Sequence, residues 1–263
     1  MFPVLQIGSI ALPTAPLTLM LGVWIGAWLA EREATRLGLS GDSIAGLLMV
    51  GLVAGLIGAR LGYIAQHFGS YRADPLGMFS PNPATLALGP GLLGGLIAML
   101  LDGRRRRLPL WRTLDALAPG LATLGVASGA ANLASGAAFG APVQLPWSIT
   151  LWEELRHPSQ AYDIIGALAI LGIWRLSRAR SPFDGFSFLL VIALSAAARV
   201  FLEAFRGDSW IIIGGLRGAQ VIGLIILALC LAALRHLGDR ARVPGPTSSK
   251  TDLADVVRQE SAR

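Results

Sequence analysis

Arg156-His157-Pro158-Ser159-Gln160-Ala161-Tyr162-Asp163 gathers six polar or ionisable side chains in eight residues, and the chain then turns apolar for a dozen positions. Polar groups at the mouth of an apolar helix are costly to desolvate, so they need partners or a task. The plainer reading is a loop that caps the next helix, with Ser159 as its N-cap. The apolar run that follows sets the class of fold. It recurs along the whole chain.

Of the 263 residues 54% are hydrophobic and only 14% are charged, and the mean hydropathy is +0.61. Soluble domains carry about 25% charged residues, so this composition is that of a membrane protein. Seven apolar runs approach the ~20 residues needed to cross a bilayer: about Ala15–Ala30, Ile44–Phe68, Ala84–Leu101, Leu114–Ala131, Ala161–Trp174, Phe186–Phe205 and Ala219–Leu234. The fifth is short and borrows polar residues at its ends, and Pro119 interrupts the fourth. The expected fold is an all-α polytopic membrane protein with about seven transmembrane helices. Residues 1–237 form the transmembrane domain, and 238–263 a polar, disordered tail. No cleaved signal peptide is read, and Cys230 is a buried thiol rather than a nucleophile.

The net charge of +6 comes mostly from arginines in short blocks between the apolar runs. Such blocks set topology and meet anionic lipid, and nothing in them calls for nucleic acid. With the N-terminus outside, the outer segments hold four basic residues (Arg72, Arg156, Arg206, Arg217) and the inner segments with the tail hold sixteen. The asymmetry predicts an outside N-terminus and a cytoplasmic C-terminus. Two arginines, Arg60 and Arg199, fall inside apolar runs, where each costs ~3 kcal/mol and should face a polar interior. Arg60 shares a helix face with Tyr63 and His67; Arg199 shares one with Glu203 and Arg206, and Arg199–Glu203 reads as an internal ion pair. Snorkelling is the plain alternative for Arg206 and Arg60. Glycine pairs four apart (Gly51 and Gly55, Gly58 and Gly62, Gly91 and Gly95, Gly125 and Gly129, Gly136 and Gly140) predict close helix packing. The connections Gly69–Pro83 and Ala141–Gln160 are longer than a bundle needs and predict a small outer cap. Carboxylates and histidines are too scattered for a metal site.

Arg156-His157-Pro158-Ser159-Gln160-x-Tyr162 resembles the His-Pro-Ser-Gln signature of the bacterial prolipoprotein diacylglyceryl transferases. In the same order, Ile7-Gly8-x-Ile10-x-Leu12, Ala59-Arg60-Leu61-Gly62-Tyr63 and Ala73-Asp74-Pro75-Leu76 are similar to that family's segments. So are Gly94-Gly95-Leu96-Ile97, Asp115-x-x-Ala118-Pro119 and Asn132-x-x-x-Gly136-x-x-x-Gly140. Arg199-x-x-x-Glu203-x-Phe205-Arg206 and Gln220 complete the set, over roughly residues 5 to 235.

The resemblance implies a protein of the bacterial inner membrane. It would transfer diacylglyceryl from phosphatidylglycerol to the lipobox cysteine thiol of lipoprotein precursors, with no cofactor. It places Arg60, Asn132, Gly136, Gly140, Arg199, Glu203, Ser159, Gln160 and Tyr162 at the substrate site. The family's histidine before Gly94-Gly95 is Leu93 here, its signature arginine is Gly129, its following glutamate is Ala137, and its first-helix His-x-Tyr is Pro13-Thr14-Ala15. A base is needed to make thiolate, so a surviving activity would turn on His157 or, next, His67. Two other readings stay open: a paralogue that binds phospholipid or precursor without transfer, and a small transporter. Seven helices without an inverted repeat disfavour the transporter.

Overall fold

The computed structural model describes residues 4–7, 10–73, 75–80, 82, 85–151, 153–212 and 215–242. Gly8, Asp74, Trp152 and the tail from residue 243 lie outside the described residues. The seven apolar runs correspond to seven long helices: α1 (Thr14–Arg36), α2 (Gly41–Gln66), α4 (Leu88–Arg105), α5 (Leu110–Ser135), α6 (Ser159–Ser177), α7 (Phe186–Leu202) and α8 (Gly218–Arg242). A short α3 (Phe68–Ala73) and a 3-10 turn at Pro75–Phe79 follow α2. Five of the long helices, α1, α2, α5, α7 with its turn to Phe205, and α8, are long and apolar enough to cross a membrane. The other two are shorter: α4 has 18 residues and ends in Asp102, Arg104 and Arg105, and α6 has 19 and carries Asp163 and Arg175. The fold is therefore a polytopic helical membrane protein.

It is not purely helical. Val4–Ile7 (β1) pairs antiparallel with Ile10–Pro13 (β2), and Ile149–Leu151 (β3) with Glu154–Arg156 (β4). The second hairpin occupies the long connection between α5 and α6, where a cap was expected. The tail assignment also shifts, because α8 continues through Gly238 to Arg242.

Small residues set the packing. The α1–α5 contact brings Gly26 against the Gly120 backbone, where a Cβ would stand 3.1 Å from the Gly120 oxygen. The α2–α4 contact does the same at Gly55 and Gly91. In lipid no hydrophobic force pairs helices, so this backbone approach supplies the dispersion contact instead. Pro119 does not end α5; it sits buried mid-helix, and Thr123 Oγ donates 2.8 Å to its carbonyl. The Gly136–Gly140 pair departs from expectation. Gly136 is the left-handed C-cap of α5 (φ 77°) and Gly140 lies in the loop beyond, so neither packs helix on helix.

At the arginine-rich end, α1, α2 and α5 meet around Ala30, Ala34, Ile44, Leu47 and Ala116. Buried Glu33 binds Arg36 (2.9 Å) and Arg178 (2.8 Å), tying α1 to the turn after α6. Asp115 of α5 accepts from the Gly185 and Phe188 amides (2.6 and 2.9 Å) and so caps α7. The bundle is locked at this end. Its polar cavity lies towards the other.

Candidate functional site

The site is built on the loop that leaves α5. Gly136 turns the chain and Ala138 takes a positive φ of 56°, a strained setting for a residue with a Cβ. Ser159 Oγ donates to the Ala138 carbonyl (2.6 Å) and Gln160 Nε2 to the Ala137 carbonyl (2.9 Å). Farther along, the Gly207 amide donates to Phe139 (2.9 Å), Ala141 to Phe205 (2.8 Å), His157 to Ala141 (3.1 Å), and Arg156 Nη1 to Gly140 (3.2 Å). A Cβ on Gly140 would stand 2.7 Å from the His157 Cβ and closer still to its carbonyl, so only glycine fits there. The loop is clamped between the polar stretch that opens α6 and the segment that closes α7. Ser159 is thus no N-cap: its hydroxyl reaches a loop 21 residues back, and α6 starts without a side-chain cap.

Two adjoining cavities flank this clamp. The larger, about 610 Å³, is apolar and lined by Leu145, Trp147, Tyr162, Ile165, Phe201 and Phe205, with His157 in its wall. The smaller, about 190 Å³, lies among α5, α6 and α7, where Ser128, Asn132, Asp163, Ser195 and Arg199 supply its polar atoms. Gly166, Ala198 and Leu202 line both. An apolar chamber walled off from a small polar one by shared residues is matched to an amphiphile.

Ion pairs hold the polar chamber in shape. Glu203, 2% exposed, stands 2.9 Å from Arg199 Nη2 as an ion pair that lacks hydrogen-bond alignment, and it accepts from Ser209 Oγ at 2.6 Å. Arg206 grips Asp208 with two donors (3.0 and 2.8 Å) and lies 3.6 Å from Asp163, so it is engaged within the fold rather than snorkelling outward. Arg217 donates to the carbonyls of Glu203 and Arg206, fastening the start of α8 to the end of α7. Against this, the Arg199 side chain is 41% accessible and pairs with Glu203 alone among the described residues. The side chains of Ser128, Asn132 and Ser195 make no hydrogen bond among the described residues. The chamber therefore presents a cation and several neutral polar groups that are open to a ligand.

A profile of the prolipoprotein diacylglyceryl transferases matches residues 3–235. The chain belongs to the prolipoprotein diacylglyceryl transferase family. A phosphatidylglycerol–prolipoprotein diacylglyceryl transferase of Chromohalobacter salexigens is 32% identical over 243 residues, spanning 86% of this chain and 88% of its own. A protein of the same name from Thermosynechococcus vestitus is 31% identical over 239 residues, with the same coverage. Another from Synechococcus elongatus is 28% identical over 270 residues, covering 96% of this chain and 90% of its own.

The residues expected at the family's substrate site divide by place. Asn132 and Arg199 line the polar chamber, and His157 and Tyr162 the apolar one. Gly136, Gly140, Ser159, Gln160 and Glu203 line neither and instead build the clamp and the ion pair. Arg60 also lies apart, donating to the carbonyls of Met78 (2.9 Å) and Gly77 (2.8 Å) and to Thr85, so it fastens the segment between α3 and α4. His67 stacks on Tyr63 with ring centroids 4.1 Å apart and lines neither chamber. His157 touches Tyr162 (Nδ1 to Oη 3.4 Å) and Phe205, and Tyr162 in turn accepts from Trp147 Nε1 at 2.9 Å.

Among the departures from the family pattern, Leu93 is 60% exposed on α4, and neither it, Ala137 nor Pro13-Thr14-Ala15 lines a chamber. Gly129 does line the polar one, where a Cβ would meet Ile164 Cγ1 at 2.8 Å. Sequence reasoning passed over Ser128 and Ser195 and gave Asp163, the last residue of the opening polar stretch, no role of its own. The first two stand one helical turn before Asn132 and Arg199, a spacing that could have found them.

Proposed function

We propose that this protein is a phosphatidylglycerol–prolipoprotein diacylglyceryl transferase of the bacterial cytoplasmic membrane, crossing it seven times with its N-terminus outside. The polar chamber takes the phosphate of phosphatidylglycerol on Arg199, with Asn132 donating to the head group. The apolar chamber receives hydrophobic substrate and the lipobox cysteine. His157, in its wall, accepts the thiol proton, the thiolate sulfur attacks the diacylglyceryl carbon, and glycerol phosphate leaves. One observation carries the reading: an accessible arginine, with unpaired polar groups beside it, lines a small polar chamber that adjoins a larger apolar one. No acid or metal is needed beside the arginine, because stabilising the leaving phosphate is electrostatic work.

A binding protein without transfer is favoured by a separate observation. The positions of the family's histidine and glutamate line neither chamber, and a side chain at its arginine position would meet Ile164 of α6. Expression in a strain depleted of its own transferase, followed by lipid labelling of a lipobox peptide, separates the two. Labelling is expected, and Arg199→Lys, which keeps the pair to Glu203 but loses the planar fork, is expected to lower the rate about 100-fold. Membrane expression without labelling would overturn the enzyme and leave the binding protein.

A further inference from the structure

Asp163 is an unexpected resident of a chamber proposed to take a phosphate. It is the one carboxylate lining the polar chamber among the described residues, and its only ion pair there is the long one to Arg206, at 3.6 Å. Arg206 is already committed to Asp208. Asp163 accepts no side-chain or backbone hydrogen bond from the described residues to its carboxylate, so both oxygens keep their acceptor capacity. On the opposite wall, Gly129 offers no side chain; a Cβ there would stand 3.5 Å from the Asp163 carbonyl carbon. The carboxylate has no direct partner on α5.

A bare phosphate gains nothing from such a neighbour, since two anions repel. An ammonium head group would meet Arg199 and Arg206 along with the carboxylate. Hydroxyls are the remaining class: neutral, and each a donor to a carboxylate that has acceptors to spare. The chamber's volume of about 190 Å³ equals about six waters at ~30 Å³ each, room for a phosphate with a short polyol.

We propose that Asp163 is a specificity-determining residue that accepts hydrogen bonds from the hydroxyls of a phosphate-linked polyol head group while Arg199 holds the phosphate. Ser128 and Ser195, on the flanking helices, complete the polyol side. The inference rests on the head-group reading of this chamber, not on transfer itself. It divides the labour by charge. The arginine selects any phosphodiester, and the carboxylate selects hydroxyls beyond it.

The test compares phosphatidylglycerol with phosphatidylpropanol, which has the same phosphodiester and carbon count but no free hydroxyl. Full-length protein in detergent micelles is offered equal amounts of both, and the lipid retained is read by native mass spectrometry. Wild type is expected to prefer phosphatidylglycerol about tenfold or more, Asp163→Ala to show a ratio near one, and Asp163→Asn, whose amide oxygen still accepts, to lie between. The isosteric Asn variant also decides the matter should the Ala variant not fold. A wild type without preference, a preference that survives Asp163→Ala, or a Asp163→Asn protein that loses both lipids equally would each overturn the proposal. The peptide-labelling assay runs in parallel on the same preparations. A lipid preference without labelling removes the transferase and keeps Asp163 in its role, whereas labelling without preference does the reverse.

Discussion

Ser159 and Gln160 show how a polar residue can be legible in type while the fold gives its side chain a structural partner that spacing does not reveal. Two polar side chains at the mouth of an apolar helix looked like ligands for a head group. Both spend their donors on the carbonyls of Ala138 and Ala137. The reason is physical: Ala138 is held at a positive φ and its loop has no ladder, so its carbonyls need donors from elsewhere. Ser159→Ala removes a buried donor and leaves the Ala138 carbonyl unpaired. This should cost about 1–3 kcal/mol, read as a lower unfolding midpoint in detergent. An unchanged midpoint would mean that water replaces the hydroxyl. Arg199 and Glu203, by contrast, were readable from spacing alone, because four residues on a helix bring two charges together and an intramembrane charge must be paired. What spacing did not reveal was that Arg199 stays accessible. That follows from the neighbouring helices, which leave the chamber open beside it.

Among the elements, the contact of α5 with α6 decides most about the site, and it turns on Gly129. The resemblance to the family marks Gly129 as the place of its signature arginine. In the fold, α6 has closed on the vacated position, with Ile164 against it. The two chambers share Gly166, one turn of α6 beyond Asp163, so the seat of α6 fixes how they meet. Gly129→Ala should therefore destabilise by about 1–3 kcal/mol through overpacking. Ile164→Ala in the same chain should recover part of that loss, since its Cγ1 is the nearer obstacle, although the Ile164 amide remains 3.1 Å away. A double-mutant cycle in unfolding midpoint measures the coupling directly. Additive losses would show that the two residues do not press on each other. The short α4 and α6 mark the limit of reading spans from hydropathy. Both carry charges or polar residues at their ends, so five helices are long and apolar enough to cross a membrane where seven apolar runs predicted seven spans.

Over the whole molecule the charges sort between two ends. The polar stretch that opens α6, the ion pairs around the polar chamber and the end of α7 lie towards one end. Towards the other lie Arg104 to Arg107, Arg175, Arg178 and Arg180, braced by the Glu33 knot. The seven long helices were legible because lipid allows few alternatives: backbone groups must be satisfied within helices. Their direction is an expectation from the arginine blocks, which mark the cytoplasmic side. The two chambers were not legible, because they are voids left by packing and no single residue signals a void. The charge asymmetry nevertheless makes a prediction that needs no chamber. Cys230 is the chain's one cysteine and is buried, so it gives a quiet background for a membrane-impermeant maleimide. Ser70→Cys in α3 and Ala179→Cys in the turn after α6 place exposed thiols at opposite ends. With the arginine-rich end in the cytoplasm, Ser70→Cys reacts in intact spheroplasts, and Ala179→Cys reacts only after the membrane is opened. The reverse pattern would put the chambers on the cytoplasmic side, away from the secreted precursors they are proposed to receive, and would remove the basis for the transferase as well as for the orientation.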